Sequence, residues 1–243
     1  MKALIFGAGR GARMRPLSDS TPKPLLVAGG RMLIEWQIAS LALCGIRELV
    51  INTAHHAALL ERTLGDGARY GARIQYSREG ERAEDALETL GGIVQALPLL
   101  GENPFVAVSG DIVSTFDFAA LRAPAEAIGT GERDAHFVLV DNPPYHPDGD
   151  MGFDGTHATM QAPRLTYANI GVFAPRLFAG RRAGRMRLFP WAFDLVERRR
   201  VSAERFVGRW YNVGTPEDLA ALDRELVASP LPLGRGAGGE GPP

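Results

Sequence analysis

Ala3-Leu4-Ile5-Phe6-Gly7-Ala8-Gly9-Arg10-Gly11-Ala12-Arg13-Met14-Arg15-Pro16-Leu17 stands near the start of the chain, and its reading decides the fold. Four apolar residues without polar alternation mark a strand buried on both faces, as in a parallel sheet. Gly7, Gly9 and Gly11 follow at once, with Arg10, Arg13 and Arg15 interleaved. Glycines at that position let backbone N–H groups approach a phosphate chain. A dinucleotide fingerprint would place glycine at position 12 and run directly into a helix. Here Ala12 occupies that position, and Pro16, Pro22 and Pro24 forbid the helix. Glu35, the candidate acidic ribose reader, falls inside a helical pattern instead of closing a second strand. Gly-Lys-Ser/Thr is missing, so a Walker loop fails as well.

Outward from this loop, Leu33, Ile34, Trp36, Gln37, Ile38 and Leu41 carry a helical period that ends near Gly45. Leu49-Val50-Ile51 reads as a strand, residues 57–64 as a helix, 73–76 as a strand and 87–97 as a helix. Phe105-Val106-Ala107-Val108 is a further buried strand and runs into Ser109-Gly110-Asp111. Strand–helix alternation at this spacing predicts right-handed crossovers and a parallel, doubly covered α/β sheet. Residues 137–140 and 165–173 continue the sheet, 189–197 form a helix, and 216–226 form a last helix capped by Thr215. Residues 142–155, rich in Pro, Gly, Asp and His, read as a loop. The expected organisation is one domain over 1–228 and a flexible Pro/Gly-rich tail over 229–243.

Composition narrows the function. Twenty-seven basic against 28 acidic residues leave a net charge of −1, so the basic excess of a nucleic-acid binder is absent. The apolar runs are too short for a bilayer and no secretory pattern opens the chain. The lone Cys44 precludes an internal disulfide or thiolate cluster. A cytoplasmic protein, monomeric or a small homo-oligomer, is expected. Lys2 and Lys23 are the only lysines among the 27 basic residues. Lys23, between two prolines, is the one whose compact ammonium invites a functional reading, because arginine cannot mimic it.

The double motif Phe6-Gly7-Ala8-Gly9-Arg10-Gly11-Ala12-Arg13-Met14-Arg15-Pro16-Leu17 and Thr21-Pro22-Lys23-Pro24-Leu25 resembles the signature of sugar-1-phosphate nucleotidyltransferases. Gly110-Asp111 matches a second hallmark of that family. Trp210-Tyr211-Asn212-Val213-Gly214-Thr215 matches a third, with Asn212 where Asp is commonest. Leu87-Glu88-Thr89-Leu90-Gly91-Gly92, Asp141-Asn142-Pro143, His146-Pro147-Asp148-Gly149-Asp150 and Asn169-Ile170-Gly171 give a narrower match, to members using UTP and N-acetylmuramic acid 1-phosphate in peptidoglycan recycling.

The resemblance implies a Rossmann-like, GT-A-like fold with a mixed, mainly parallel central sheet flanked by helices. It implies transfer of a uridylyl group to a sugar 1-phosphate with Mg²⁺. Arg13, Lys23 and Asp111 would be catalytic. Gly9, Gly11, Arg13, Lys23, Glu79 and Gly92 would bind the nucleotide, and Glu88, Thr89, Asp141, Asp150 and Asn169 the sugar. Asp111 and Asn212 would hold the metal. Two alternatives stay open: a mannose- or glucose-1-phosphate transferase using GTP, dTTP or UTP, and a non-catalytic nucleotide-sugar-binding paralogue. Arg13, Lys23 and Asp111 together argue against the second, and Asn212 argues mildly for it.

Overall fold

The alternation of side chains along the apolar strands divides the interior into two layers. In the computed structural model, residues 1–231 are described. The chain runs β1 (Ala3–Phe6), β2 (Val27–Ala28), β3 (Arg31–Met32), α1 (Leu33–Leu43), β4 (Glu48–Thr53), α2 (Ala57–Leu64), β5 (Arg73–Arg78) and α3 (Glu88–Leu100). It continues through β6 (Phe105–Ser109), β7 (Ile112–Ser114), α4 (Arg122–Gly129), β8 (Ala135–Val140), β9 (Met151–Phe153) and β10 (Ala158–Thr159). Last come β11 (Arg164–Phe173), α5 (Trp191–Glu197), β12 (Val201–Arg205), β13 (Trp210–Asn212) and α6 (Pro216–Ala228).

Ala3, Ile5, Leu49, Ile51, Val106 and Val108 point into one layer, against Ile34, Ile38 and Leu41 of α1, Leu60 and Leu64 of α2 and Ile128 of α4. Leu4, Val50, Phe105 and Ala107 point into the other, against Leu90, Ile93 and Ala96 of α3 and Ala192, Leu195 and Val196 of α5. Each fully buried Leu, Ile or Phe contributes about 1.5–3 kcal/mol. Burial on both faces is what makes the strands read as unbroken apolar runs.

The sheet has nine strands, in the order β10-β9-β11-β6-β1-β4-β5, with β8 joining β11 to β12. β5, β4, β1 and β6 run parallel to one another, and β11 runs antiparallel to β6, β8 and β9. The chain winds outward from β1 through β4 to β5, then crosses back through α3 to β6 on β1's other side. This switch point opens a crevice at the carboxyl ends of β1, β4 and β6, the standard place for a ligand in an open α/β sheet. The expected mixed, mainly parallel Rossmann-like sheet is present.

The structure departs from the sequence reading in the C-terminal half. Met151–Phe153, expected within a loop, forms a short strand between β10 and β11. β7 and β13 form a two-stranded ribbon that the sequence reading passed over. A third apolar cluster joins Met14 of the glycine loop to Leu33, Trp36, Val113, Val213, Leu222, Leu226 and Leu231. Leu231, assigned to the expected tail, is thus buried; residues 232–243 lie outside the described part.

Candidate active site

The site begins with a buried amide. Asn52, near the end of β4, accepts from the N–H groups of Gly7 (2.7 Å) and Ala8 (3.3 Å) through Oδ1. Its Nδ2 donates to Glu79 Oε1 at 2.6 Å, and Glu79 Oε2 accepts from the Leu87 N–H at 2.7 Å. One relay therefore fixes the glycine loop, the segment after β5 and the entry to α3. Burial pushes the Glu79 carboxyl above the usual carboxylate range, opposed by these two donors.

Gly92 on α3 makes the relay possible. A Cβ there would lie 2.6 Å from Glu79 Oε1 and 2.7 Å from Asn52 Nδ2. Gly92 thus acts behind Glu79, and the crevice itself is lined by Gly9, Arg10, Asn52, Glu79, Glu88, Thr89, Ser109 and Asp111, among others. Its volume is about 300 Å³. A larger hollow of about 650 Å³, between His55, His56, Arg78 and Arg82, contains none of the sequence-predicted residues, so the site is placed in the smaller one.

After Phe6 the backbone turns at Gly11, whose φ of 59° is left-handed, and continues as short 3₁₀ turns over Ala12–Met14, Leu17–Asp19 and Lys23–Leu25. Ser18 donates to the Gly11 carbonyl at 2.7 Å and closes the loop on itself. The last turn carries Lys23 back to the crevice, where its ammonium pairs with Asp111 Oδ2. The Lys23 side chain is only 11% exposed, so this pair sits in a restricted space. Gly110, donating to the Phe6 carbonyl at 2.9 Å, sets Asp111 beside the glycine loop. A Cβ at Gly110 would be 2.8 Å from that same carbonyl oxygen.

The ribbon of β7 and β13 brings in the third motif. Asn212 is in register with Ile112, and the Val213 N–H donates to the Asp111 carbonyl at 3.1 Å. Asn212 and Asp111 therefore adjoin. Tyr145, from the segment before β9, lies close to the Asn212 side chain. Arg13 lies beside Gly214, its Nη1 3.4 Å from the position a Cβ there would take. Asp218 accepts from the N–H groups of Gly214 and Thr215, both at 2.9 Å, in a capping box that starts α6.

The remaining predicted residues divide. Asn169 has a left-handed φ of 56° in the irregularity of β11 between Tyr167 and Gly171. Ile170 pairs with Val108, so Asn169 stands level with Ser109 at the crevice. Asp150 receives His146 Nε2 (3.2 Å) on one oxygen and the Tyr167 N–H (2.8 Å) on the other, which anchors its loop to β11. Asp141 pairs with Arg205 at 2.7 Å on an exposed surface and does not line the crevice. Asn52, Ser109, Arg10 and Tyr145 escaped the sequence reading. A polar residue closing an apolar strand at the sheet's carboxyl edge was the signal for Asn52.

For a divalent cation the donor set fits in one way. Among the described residues no three His, Cys, Asp or Glu side chains gather into a cage. Asp111 with the Asn212 carbonyl oxygen offers one carboxylate and one neutral oxygen, which suits an ion that keeps waters and phosphate oxygens, as Mg²⁺ does.

An anion-binding glycine loop at a switch point, facing a lysine–aspartate pair, defines a protein that handles phosphate esters. The nucleotidyl transferase family matches residues 2–228, and the chain belongs to that family. It is 42% identical over 220 residues to an N-acetylmuramate α-1-phosphate uridylyltransferase of Neisseria meningitidis, covering 88% of this chain and 94% of that one. A Caulobacter vibrioides protein of the same description is 31% identical, covering 93% and 96%. A mannose-1-phosphate guanylyltransferase catalytic subunit beta of Danio rerio is 27% identical, and this chain spans 62% of its length. In fold the chain resembles a crystal structure from Bacillus anthracis assigned as a glucose-1-phosphate thymidylyltransferase, with a TM-score of 0.78 at 19% identity over 97% and 98% of the two chains.

Proposed function

We propose that this chain transfers the uridylyl group of UTP to N-acetylmuramic acid 1-phosphate, giving the UDP-sugar and pyrophosphate, with a catalytic unit inside residues 1–228. The observation that carries the chemistry is the Lys23–Asp111 pair at the mouth of the glycine loop. The two relatives that cover nearly the whole chain support the choice of base and acceptor.

In this reading an oxygen of the sugar phosphate attacks the α-phosphorus, a P–O bond forms, and the bond to the β-phosphate breaks. The attacking phosphate is already mostly dianionic near neutral pH, its second pKa being about 6. A general base is therefore unnecessary, and catalysis reduces to positioning and charge stabilisation. The backbone after β1 cradles the triphosphate, and Arg13 neutralises the charge that develops on the leaving pyrophosphate. Lys23 shifts its ammonium from Asp111 to the α-phosphate and the incoming phosphate, both anionic and otherwise repelling each other. Asp111 and Asn212 would hold Mg²⁺, which supplies further charge neutralisation to the triphosphate. Glu79 still has lone pairs facing the crevice, and one can accept the uracil N3–H. Glu88, Thr89 and Asn169 would meet the sugar.

The test is direct. UDP-N-acetylmuramic acid and pyrophosphate should form together from UTP and the sugar phosphate, and Asp111→Ala should lower kcat by roughly 100-fold or more with an unchanged circular dichroism spectrum. Near-normal turnover by Asp111→Ala would remove this residue from the reaction.

A further inference from the structure

Arg185 plays no part in the chemistry just described, yet the fold places it at the rim of the crevice. The segment before α5 folds against the first turn of α3. The Met186 carbonyl accepts from the Leu90 N–H (3.0 Å) and the Gly91 N–H (3.1 Å), and the Met186 N–H donates to the Leu87 carbonyl (2.9 Å). Two of the N–H groups that a helix start leaves without partners are satisfied in this way. The approach is so close that a Cβ on Gly91 would be 2.0 Å from the Gly184 carbonyl oxygen. The backbone on both sides of Arg185 is therefore fixed.

The side chain has one anchor and is incompletely used. Arg185 Nη2 donates to Glu88 Oε1 at 3.1 Å, and Glu88 lines the crevice. Among the described residues this is Arg185's only hydrogen bond, and its side chain is 53% exposed. A guanidinium has five N–H donors in a planar fork, and that fork matches a carboxylate in two-point contact. One arm rests on Glu88, which lines the crevice next to Thr89, and the other N–H groups have no partner among the described residues.

N-acetylmuramic acid differs from N-acetylglucosamine by a lactyl ether on O3 that ends in a carboxylate. We propose that Arg185 is a specificity-determining residue: it reads this carboxylate, with Glu88 pre-orienting its guanidinium. The proposal rests on the acceptor assignment made above. Arg10, the other arginine on the crevice, belongs to the glycine loop and stands at the phosphate end. With an acceptor lacking the carboxylate, Arg185 keeps its contact to Glu88 and contributes nothing to choice.

The experiment compares kcat/KM for N-acetylmuramic acid 1-phosphate and N-acetylglucosamine 1-phosphate, with UTP, in wild type, Arg185→Ala and Arg185→Lys. Wild type should favour the acid. In Arg185→Ala that preference should collapse by about 10- to 100-fold, through KM more than kcat. Arg185→Lys, which keeps charge without the fork, should fall between. An unchanged preference in Arg185→Ala, or an equal loss for both acceptors, overturns the role of Arg185 and leaves the acceptor assignment standing. A wild type without preference for the acid overturns the acceptor assignment and this inference with it.

Discussion

Lys2 and Lys23 show how far a single residue can be read without a structure. Only Lys23 invited a functional reading, and the fold brings its ammonium to Asp111 across 88 residues of sequence. Lys2 donates to the Leu99 carbonyl at 2.6 Å and caps the end of α3. The turn that holds Lys23 is pinned by Pro22 and Pro24, and the side chain is nearly enclosed. Lys23→Arg keeps the charge but must fit a wider, planar group there, so turnover should fall by about 100-fold. Turnover equal to wild type would reduce Lys23 to a source of general positive potential. Asn212 presents the opposite case. In the proposed metal site, Asn212 beside Asp111 supplies a neutral oxygen, so Asn212→Asp should lower the Mg²⁺ concentration needed for half-maximal rate, with less effect on maximal rate. Identical Mg²⁺ titrations for the two proteins would leave Asn212 a structural residue with no contact to the ion.

At the scale of elements, glycines carry more than the sequence discloses. Gly92, expected at the nucleotide site, leaves room on α3 for the Glu79–Asn52 bond. Gly92→Ala should destabilise the protein by about 1–3 kcal/mol through overpacking, and it should also raise the KM for UTP. A stable variant with normal KM would contradict the account of the relay. On the far side of the molecule Asp134 ties Arg200 (2.9 Å), which precedes β12, to Arg176 (2.8 Å), which follows β11. Arg200, and after it Arg176, hold the Asp134 carboxyl below its ordinary value. A depressed carboxyl adds stability above its unfolded pKa of about 3.9 and loses it as pH falls through the folded value. Both arginines are partly exposed, so solvent screening reduces the gain to about 1 kcal/mol. Asp134→Asn should therefore lower Tm by about 2–4 °C at pH 7, and the gap should shrink below pH 4. A gap that stays constant with pH would show that charge is not involved.

For the whole molecule, the N-terminal half was legible and the C-terminal half less so, for a physical reason. β1, β4 and β6 are covered on both faces and read as unbroken apolar runs, and the helices between them carry apolar residues at helical spacing. β7, β9, β10 and β13 have two or three residues each, too few for a period to register. Residues supplied by loops, such as Tyr145 near Asn212 and Arg185 on Glu88, come to the site's surroundings only through tertiary packing that no local pattern encodes. Motif positions were legible because phosphate chemistry requires glycines, a lysine and an aspartate at strand ends. For Asp141 and Asp150 no local pattern separates a sugar-binding carboxylate from one engaged in ion pairing or loop anchoring, since these use the same side chain. Pyrophosphate release measured across UTP, dTTP, CTP, ATP and GTP, each with N-acetylmuramic acid 1-phosphate, glucose 1-phosphate and mannose 1-phosphate, tests the central claim most directly. UTP with N-acetylmuramic acid 1-phosphate should give the highest kcat/KM, with dTTP the nearest competitor because thymine also offers an N3–H. Preferential use of GTP with mannose 1-phosphate, or no release with any pair, would contradict the account.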